Sequence, residues 1–356
     1  MNKIAARRLK NQALIGSTFQ SAAEVVGHFG AMQAQEYLCA LWAVGMRVPG
    51  STEADIRQAV EQRKIVRGWP MRGTIHFTAA EDTRWILELT APRQLAIYGR
   101  RLKELGLDEA TLAQASDTMA HALDMDGQLS RPQLFKALEA AGVSTAGQRG
   151  AYMLYRAVLD RVICQVGVER NTAYYMPFDA ALPKAKSKPQ DEALAELARR
   201  YFVSHGPATA HDFAWWAGLT VADAKHGIGG AGKTLERETI DGGEYWSAAG
   251  GVDAVSNDGP VVRLLPMYDE YLVAYRDRSA SVSPAQMGSY GSGNNPVFSW
   301  VILIEGQARG TWKRTVKKDT VEVVLMPDGR LNDTERDALD AEARRYADFV
   351  EKSLVL

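Results

Sequence analysis

The feature that most constrains the fold is an order of predicted elements, three helices followed by a β-hairpin, that occurs early in the chain. Capping and apolar patterning predict helices over residues 21–30, 37–46 and 53–62. Two strand-like runs follow, at 65–69 and 74–78. Three helices and then a hairpin is the order of a winged helix.

The same order recurs twice, at intervals of about 70–80 residues, which is typical of a tandem array. The predicted elements are helices 107–123, 133–141 and 148–161 with strands 163–166 and 172–175, then helices 191–205, 209–217 and 220–228 with strands 234–238 and 244–246. We therefore predict winged-helix domains at 1–105, 106–182 and 190–252, with a linker at 182–189.

From residue 253 to 356 the sequence is rich in β-strand patterns. Predicted strands lie at 261–265, 297–305, 307–315 and 320–325, a Glu305-Gly306 turn joins two of them, a mobile Ser/Gly/Asn-rich loop covers 286–296, and a helix covers 333–354. The predicted fold class is α+β, mainly α, with three tandem winged helices and a C-terminal β-rich region.

Composition excludes several classes of protein. The 356 residues contain no apolar run of membrane-spanning length, and the basic N-terminus has no signal-peptide core behind it. Two cysteines and six scattered histidines offer no metal-ligand spacing. These features predict a cytoplasmic protein without a metal site.

A net charge of −1 conceals an uneven distribution of charge. Two stretches carry cations and no acid: Lys3, Arg7, Arg8 and Lys10 near the start, and Arg309, Lys313, Arg314, Lys317 and Lys318 near the end. A balanced total can hide a basic face, and such a face is what binds phosphates.

Candidate DNA contacts follow from these cations. Arg67 and Arg72 flank the first predicted wing and are equally compatible with phosphate contacts and with ordinary surface charges. Trp312 lies among the cations of residues 310–318, which predicts a strand pair that lines or wedges a DNA groove. The alternative is a tryptophan in the β core beneath an exposed basic edge strand.

The stretch Gln33-Ala34-Gln35 is the candidate catalytic motif, because residues i and i+2 share a face in an extended segment. The alternative is a pair of surface glutamines. Amides cannot remove a proton near pH 7, but they can hold a water molecule and stabilise a developing sugar cation. Glu36 would project away from this face, and His76 near the first wing is more often structural than catalytic.

Six short motifs together carry a family resemblance: Arg8–Gln12, Gln33–Gln35, Trp69–His76, Leu265–Leu272, Tyr275–Arg278 and Gly310–Arg314. With them, the chain resembles the winged-helix DNA glycosylases of the AlkZ/YcaQ type, a family that includes an azinomycin self-resistance glycosylase. The resemblance implies a C-shaped cradle around duplex DNA, catalytic roles for Gln33 and Gln35, and supporting roles for Asn11 and Gln12 in the first motif. Some relatives carry Asp at the second motif position, so this chain is more similar to the AlkZ branch.

The predicted function is a monomeric, monofunctional DNA glycosylase that acts on double-stranded DNA without a metal or organic cofactor. Its predicted substrates are cationic alkylated purines such as N7-alkylguanine, including bulky and crosslinked adducts, because amides alone supply no proton to a departing base. Two alternatives come from other classes: a winged-helix transcriptional regulator, which would discriminate among undamaged sequences, and a protein-binding scaffold.

Overall fold

The computed structural model describes residues 2–170, 172–251, 259–284, 286–287 and 299–356. Its first element is a helix that the sequence patterns did not predict, α1 (Lys3–Asn11), which is capped by the side chain of Asn2. The basic residues of this helix do not all face solvent, since Arg7 and Arg8 are buried. The Arg8 guanidinium lies 3.6 Å from the centre of the Tyr275 ring. Two of the four cations in the predicted N-terminal basic run are therefore internal, while Lys3 is exposed and Lys10 is half-buried.

The first set of three helices and a hairpin is confirmed. It comprises α2 (Ala22–Phe29), β1 (Met32–Gln33), α3 (Tyr37–Gly45), α4 (Glu53–Glu61), β2 (Ile65–Met71) and β3 (Thr74–Ala79). The strands form an antiparallel sheet in the order β1-β3-β2. Arg72 and Gly73 form the hairpin turn, and both have positive φ angles, 54° and 67°. Two such residues are what a type I′ hairpin turn requires.

The second set is preceded by a long helix, α5 (Thr83–Glu104), which was not predicted. The set itself comprises α6 (Glu109–Asp126), β4 (Leu129–Ser130), α7 (Arg131–Ala140), α8 (Arg149–Leu159), β5 (Ile163–Glu169) and β6 (Thr172–Pro177), followed by the short α9 (Phe178–Ala181). The third set comprises α10 (Gln190–His205), α11 (Ala210–Ala217), α12 (Val221–Ala231), β7 (Leu235–Ile240) and β8 (Gly243–Ala248). The order of elements thus recurs as predicted, while the division into three winged-helix domains with the predicted boundaries stays a prediction.

The first set differs from the others at one connection. In each set, a short extended piece before the second helix pairs with the last hairpin strand: β1 with β3, β4 with β6, and Ala208 with Trp246. In the later sets this piece runs directly into the helix N-cap, Ser130 or Thr209. In the first set, residues 34–36 intervene between β1 and α3. Only the first set therefore carries an extended loop at this point.

The C-terminal region forms a five-stranded sheet with one long helix. Its elements are β9 (Val262–Leu265), α13 (Glu270–Val273), β10 (Val301–Ile304), β11 (Gln307–Val316), β12 (Thr320–Pro327), α14 (Asp333–Phe349) and β13 (Ser353–Val355). The strand order is β13-β12-β11-β10-β9, and β13 runs parallel to β12.

The four predicted strands correspond to β9, β10, β11 and β12, but β10 begins at Val301 and residues 297 and 298 of its predicted span lie outside the described residues. Glu305 and Gly306 form the turn between β10 and β11, with φ angles of 52° and 74°. The predicted helix 333–354 is too long, because α14 ends at Phe349 and residues 353–355 pair with β12 instead. The predicted loop at 286–296 lies outside the described residues, apart from Gln286 and Met287.

The C-terminal sheet and the first set of helices share one hydrophobic core. The Trp42 ring of α3 packs edge-on against Tyr346 of α14, and its Nε1 atom donates to the Leu264 carbonyl at 2.8 Å. A fully buried ion pair joins Arg47 to Asp269 through two hydrogen bonds of 2.8 and 2.9 Å. This packing brings the segment after β9 against the loop that follows β1. None of the helices in the described ranges is long and apolar enough to cross a membrane.

Candidate active site

The Gln33-Ala34-Gln35 stretch is extended, as predicted. Gln33 is paired with His76 across β1 and β3, and the Ala34 N–H donates to the Ile75 carbonyl at 2.7 Å. Gln33 is 7% exposed, whereas Gln35 is exposed and its Oε1 atom accepts from the Ile75 N–H at 3.3 Å. Both side chains line the same cleft.

This cleft is open to solvent and has a volume of about 1070 Å³. Its cationic lining consists of Arg72, Arg93, Arg276 and Arg278. Among the described residues, the cleft lining includes no aspartate or glutamate. The cleft can therefore receive an anionic polymer at its edge, and the polar groups at the motif itself are neutral amides.

Part of the cleft wall is apolar and exposed. The Trp215 side chain of α11 is 46% exposed and Ile97 of α5 is 60% exposed, and both line the cleft with Tyr98. Large apolar side chains that remain exposed in a concave surface usually mark a place for a ligand. The sequence patterns did not predict this wall, because its residues come from helices far apart in the chain.

The Arg67 side chain of β2 binds the motif loop, residues 34–36, through two backbone carbonyls. Its Nε atom donates to the Ala34 carbonyl at 2.9 Å, and its Nη2 atom donates to the Gln35 carbonyl at 3.0 Å. Burial lowers the pKa of this guanidinium from its ordinary value. Arg67 is half-buried and the loop uses two of its five N–H donors, so the predicted phosphate contact stays a prediction beside this structural role.

Arg72 contacts the motif from the wing turn. Its Nη2 atom lies 3.4 Å from the Gln33 Oε1 atom and 3.4 Å from His76 Nε2. Its guanidinium carbon is 5.9 Å from the Trp215 ring centre. Burial lowers the pKa of Arg72, and the nearby Glu270 carboxylate opposes that shift. Because an amide oxygen has two lone pairs, this contact leaves Gln33 Oε1 able to accept a second hydrogen bond.

His76 is fully buried behind Arg72. Its Nδ1 atom lies 2.9 Å from the Thr74 carbonyl, so Nδ1 carries a proton and donates it. Burial, with a smaller contribution from Arg72, lowers the pKa of His76 to about 4. The ring is therefore neutral near pH 7, its Nε2 lone pair faces Arg72, and it offers no proton to the cleft.

Glu270 lies directly behind Gln33, and the sequence reasoning missed it. Its Oε1 atom accepts from the Gln33 backbone N–H at 2.6 Å, and its Oε2 atom accepts from Trp216 Nε1 at 2.9 Å. Burial alone raises the pKa of this carboxyl, but His205, His76 and the Gln33 N–H together hold it below its ordinary value. The only sequence signal was a pair of adjacent acids, Asp269 and Glu270, within the otherwise mainly apolar stretch Leu264–Ala274, and such surroundings alone do not reveal a partner.

Asn11 and Gln12, predicted as supporting residues, do not line the cleft. Asn11 Nδ2 donates to the Gly206 carbonyl at 2.7 Å, and Gln12 Nε2 donates to the Tyr275 hydroxyl at 2.9 Å. Arg47 donates to the Gln12 carbonyl at 2.9 Å. Both residues therefore connect the end of α1 to the elements that surround Glu270.

Glu36, the acid next to the motif, is not placed to act in the cleft. Glu36 is exposed, lies at the start of α3 and is not among the residues that line the cleft. Within the described ranges, no group of three or more His, Cys, Asp or Glu side chains is arranged to hold a metal ion. The chemically distinctive part of the cleft is the pair of amides with the arginines around it.

Comparisons with known proteins decide the family. The family model described as "DNA glycosylase AlkZ-like" matches residues 26–349, which is most of the chain. The chain belongs to the AlkZ-like DNA glycosylase family. Membership of this family supports an enzyme that acts on DNA and does not support the alternative of a transcriptional regulator.

One sequence match and one structure match, both from Streptomyces sahachiroi, extend across nearly the whole chain. An interstrand DNA cross-link repair glycosylase is 24% identical over 361 aligned residues, covering 97% of this chain and 95% of the relative. The solved structure of S. sahachiroi DNA glycosylase AlkZ has a TM-score of 0.81 at 21% identity and covers 99% of both chains. The fold is therefore that of AlkZ along its full length.

The basic run on β11 divides into two faces. Trp312 is 1% exposed, its Nε1 atom donates to the Leu265 carbonyl at 2.9 Å, and it packs against Trp300 and Tyr346. The prediction that Trp312 contacts DNA is wrong for this structure, because its indole lies in the β core. Arg314, two residues further along the strand, lies over the Trp300 ring at 4.8 Å and is half-buried.

The three lysines of the basic run are exposed to solvent and free of the β core. Lys313 and Lys318 are exposed, and Lys317 is exposed with its Nζ atom 3.5 Å from a Glu322 oxygen. Lys313 lies on β11, and Lys317 and Lys318 follow directly after the strand ends at Val316. For a DNA glycosylase, this lysine face is the part of the predicted DNA-binding run that can reach a phosphate.

Proposed function

We propose that this member of the family hydrolyses the N-glycosidic bond of cationic alkylated purines in duplex DNA, with N7-alkylguanine as the simplest substrate. Gln33 and Gln35 hold the water molecule and direct their amide oxygens toward the sugar. One observation carries the proposal: both amides line one cleft whose described lining contains no carboxylate. Neither amide can remove a proton near pH 7, so the motif holds the water rather than deprotonating it, and His211 is the one histidine in the described lining.

The positive charge of the substrate removes the need to protonate the departing base. A purine alkylated at N7 or N3 is positively charged, so it accepts the electron pair of the broken bond and departs as a neutral molecule. Water adds to C1′ and releases its proton to solvent after the bond has weakened. His76 supplies no proton to a departing base, because the ring is buried and its pKa is about 4. Neutral damaged bases would need such a proton.

The amides contribute by position and dipole. Gln33 is held through its backbone by Glu270 and through its Oε1 atom by Arg72, and the Gln35 carbonyl is held by Arg67. Groups fixed in this way stabilise charge that develops in the transition state without having to reorient. The exposed arginines of the cleft, Arg93 and Arg276, bind phosphates of the duplex, which offsets their repulsion of a cationic base.

The size and lining of the cleft favour large adducts. A cleft of about 1070 Å³ that opens to solvent does not require a tight pocket around one extruded base. The Trp215 and Ile97 side chains offer apolar surface to a bulky substituent. The S. sahachiroi relative is named as an interstrand cross-link repair glycosylase, which agrees with a substrate attached to both strands.

The decisive experiment uses a duplex oligonucleotide with a single N7-methylguanine. The purified protein should release free N7-methylguanine and leave an abasic site that alkali cleaves, while a Gln33→Ala/Gln35→Ala variant should not. Gln58→Ala, which removes an exposed glutamine of α4, is the matched control and should behave as the wild type. Absence of release by the wild-type protein, with DNA binding intact, would overturn the proposed substrate class.

A further inference from the structure

Two buried N–H groups converge on the Glu270 side chain. The Gln33 backbone N–H donates to Oε1 and the Trp216 indole N–H donates to Oε2, at 2.6 and 2.9 Å. Glu270 is 1% exposed and Trp216 is 0% exposed, so water does not substitute for either acceptor. A buried N–H without an acceptor is destabilising. Oε1 of Glu270 therefore pairs with the Gln33 N–H, and Oε2 pairs with the Trp216 N–H.

The bond to Gln33 uses an N–H on the unpaired side of an edge strand. Gln33 is the last residue of β1, and its N–H is directed away from the ladder to a carboxylate 237 positions later in the sequence. Hydrogen bonds to an ionised acceptor are shorter and stronger than neutral ones. This bond ties the backbone of the catalytic motif to α13, which the Arg47–Asp269 pair anchors in the core through the residue next to Glu270.

We propose that Glu270 is a positioning residue that fixes the Gln33 amide in the cleft through this backbone hydrogen bond. The inference rests on the proposed function, in which the Gln33 amide acts on the reacting water. Glu270 does not line the cleft, so it touches neither substrate nor water. Its contribution is geometric, because it fixes the position of the Gln33 backbone and therefore of the side chain attached to it.

The substitution Glu270→Gln tests this role by removing one acceptor. A glutamine side chain has a single acceptor oxygen, so it can serve either the Gln33 N–H or the Trp216 N–H and leaves the other unpaired. A displacement of about 1 Å in a catalytic group can cost about 10²-fold in rate. We expect kcat for N7-methylguanine release to fall by about that factor, with little change in DNA affinity.

A second substitution distinguishes positioning from loss of charge. In Trp216→Phe/Glu270→Gln, the competing indole donor is gone, so the glutamine oxygen can accept from Gln33. The glutamine Nε2 atom can then face His205 Nε2, which lies 3.4 Å from Glu270 Oε2 and has no hydrogen-bond partner in the described part of the chain. The double variant should recover most of the rate that Glu270→Gln loses. Trp216→Phe alone keeps the Gln33 bond and should have nearly the wild-type rate.

The outcomes separate this inference from the proposed function. If wild-type protein releases no N7-methylguanine, the proposed function fails before any variant is compared. If the wild type is active, an unchanged rate in Glu270→Gln, or a double variant as slow as Glu270→Gln, overturns the positioning role. Hydrogen exchange of the peptide that contains residues 31–35 provides a readout without catalysis. Exchange should be faster in Glu270→Gln and return toward wild type in the double variant, and equal exchange in all three would also overturn the role.

Discussion

Arg67 and Gln35 are joined by a hydrogen bond from the Arg67 Nη2 atom to the Gln35 carbonyl, 3.0 Å long, while Arg67 Nε binds the preceding carbonyl. One planar guanidinium thus spans two successive peptide groups of the motif. Arg67→Ala should loosen the loop and lower kcat by roughly 10-fold or more, because catalytic groups depend on sub-ångström placement. Arg67→Lys should restore little, since an ammonium lacks the fork that reaches both carbonyls. A pure phosphate contact would instead weaken DNA binding in Arg67→Ala and be largely restored by lysine.

The two glutamines should contribute separately measurable effects. Removal of one preorganised donor or acceptor near a developing charge typically costs about 2.7–4 kcal/mol, or 10²–10³-fold in kcat. Gln33→Ala and Gln35→Ala should each slow excision by about that factor, and melting temperatures and DNA affinities should stay near wild type. Single-turnover rates on N7-methylguanine duplex measure this directly. Full activity in the double variant would remove both residues from the mechanism.

The lysine face of β11 should carry part of the salt dependence of DNA binding. Each phosphate contact that is lost lowers the slope of log affinity against log salt by about 0.9. Lys313→Gln/Lys317→Gln should flatten that plot without changing lesion preference, whereas Lys103→Gln/Lys136→Gln, with the same change of charge on exposed positions, serves as the control. Arg314→Gln should lower stability more than salt dependence, because its guanidinium packs on Trp300. If the first variant leaves the slope of log affinity against log salt unchanged, these lysines are ordinary surface charges that do not contact DNA.

The lowered pKa of His76 predicts how the free energy of unfolding depends on pH. Burial lowers its pKa in the folded protein to about 4, while an unfolded histidine titrates near 6.5. Between these values the unfolded chain binds more protons, so the free energy of unfolding should fall as pH decreases from 6.5 to 4, by up to about 1.4 kcal/mol per pH unit. His76→Gln should make this slope shallower, although His28 and His205, whose pKa values are also lowered, keep some of it. Urea unfolding at several pH values measures the slope, and an identical slope in the variant would contradict this assignment.

The sequence patterns predicted the local features of the fold well. The hairpin of β2 and β3, the capped helices and the extended Gln33–Gln35 segment all follow from short-range signals such as turn residues and N-caps. Helix α5 was missed because Pro92 lies inside it, and proline ordinarily ends or kinks a helix. Trp312 was assigned to the wrong face because the run was treated as one surface, although neighbouring strand residues alternate between two faces.

The supporting groups of the site could not be predicted in the same way. Glu270 reaches Gln33 only after the C-terminal sheet packs on the first set of helices, and no spacing within either segment encodes that contact. The dual use of Arg67 likewise depends on how β2 lies beside the motif loop. The local sequence therefore identified Gln33 and Gln35, whereas the groups that fix them, Glu270 and Arg67, depend on tertiary packing.

The range of substrates is the most discriminating prediction for this cleft. The motif consists of amides, the described lining contains arginines and one histidine, His211, but no carboxylate, and the nearby buried His76 is neutral. A neutral base such as uracil, hypoxanthine or 8-oxoguanine leaves readily only if it is protonated or held by a strong hydrogen-bond donor, whereas N7- and N3-alkylated purines already carry the charge. Release of N7-methylguanine should therefore exceed release of these neutral bases by about 10² or more, the usual contribution of a general acid.

Bulky adducts provide the second half of that prediction. Because Trp215 and Ile97 leave apolar surface exposed in an open cleft, an N7-guanine adduct with a large planar substituent should be released at a rate similar to N7-methylguanine. Trp215→Ala should slow release of the bulky adduct more than release of the methyl adduct, and the ratio of the two rates is the quantity to measure. Comparable excision of uracil and N7-methylguanine would require a proton donor in the cleft and would direct attention to His211, the exposed histidine in its described lining.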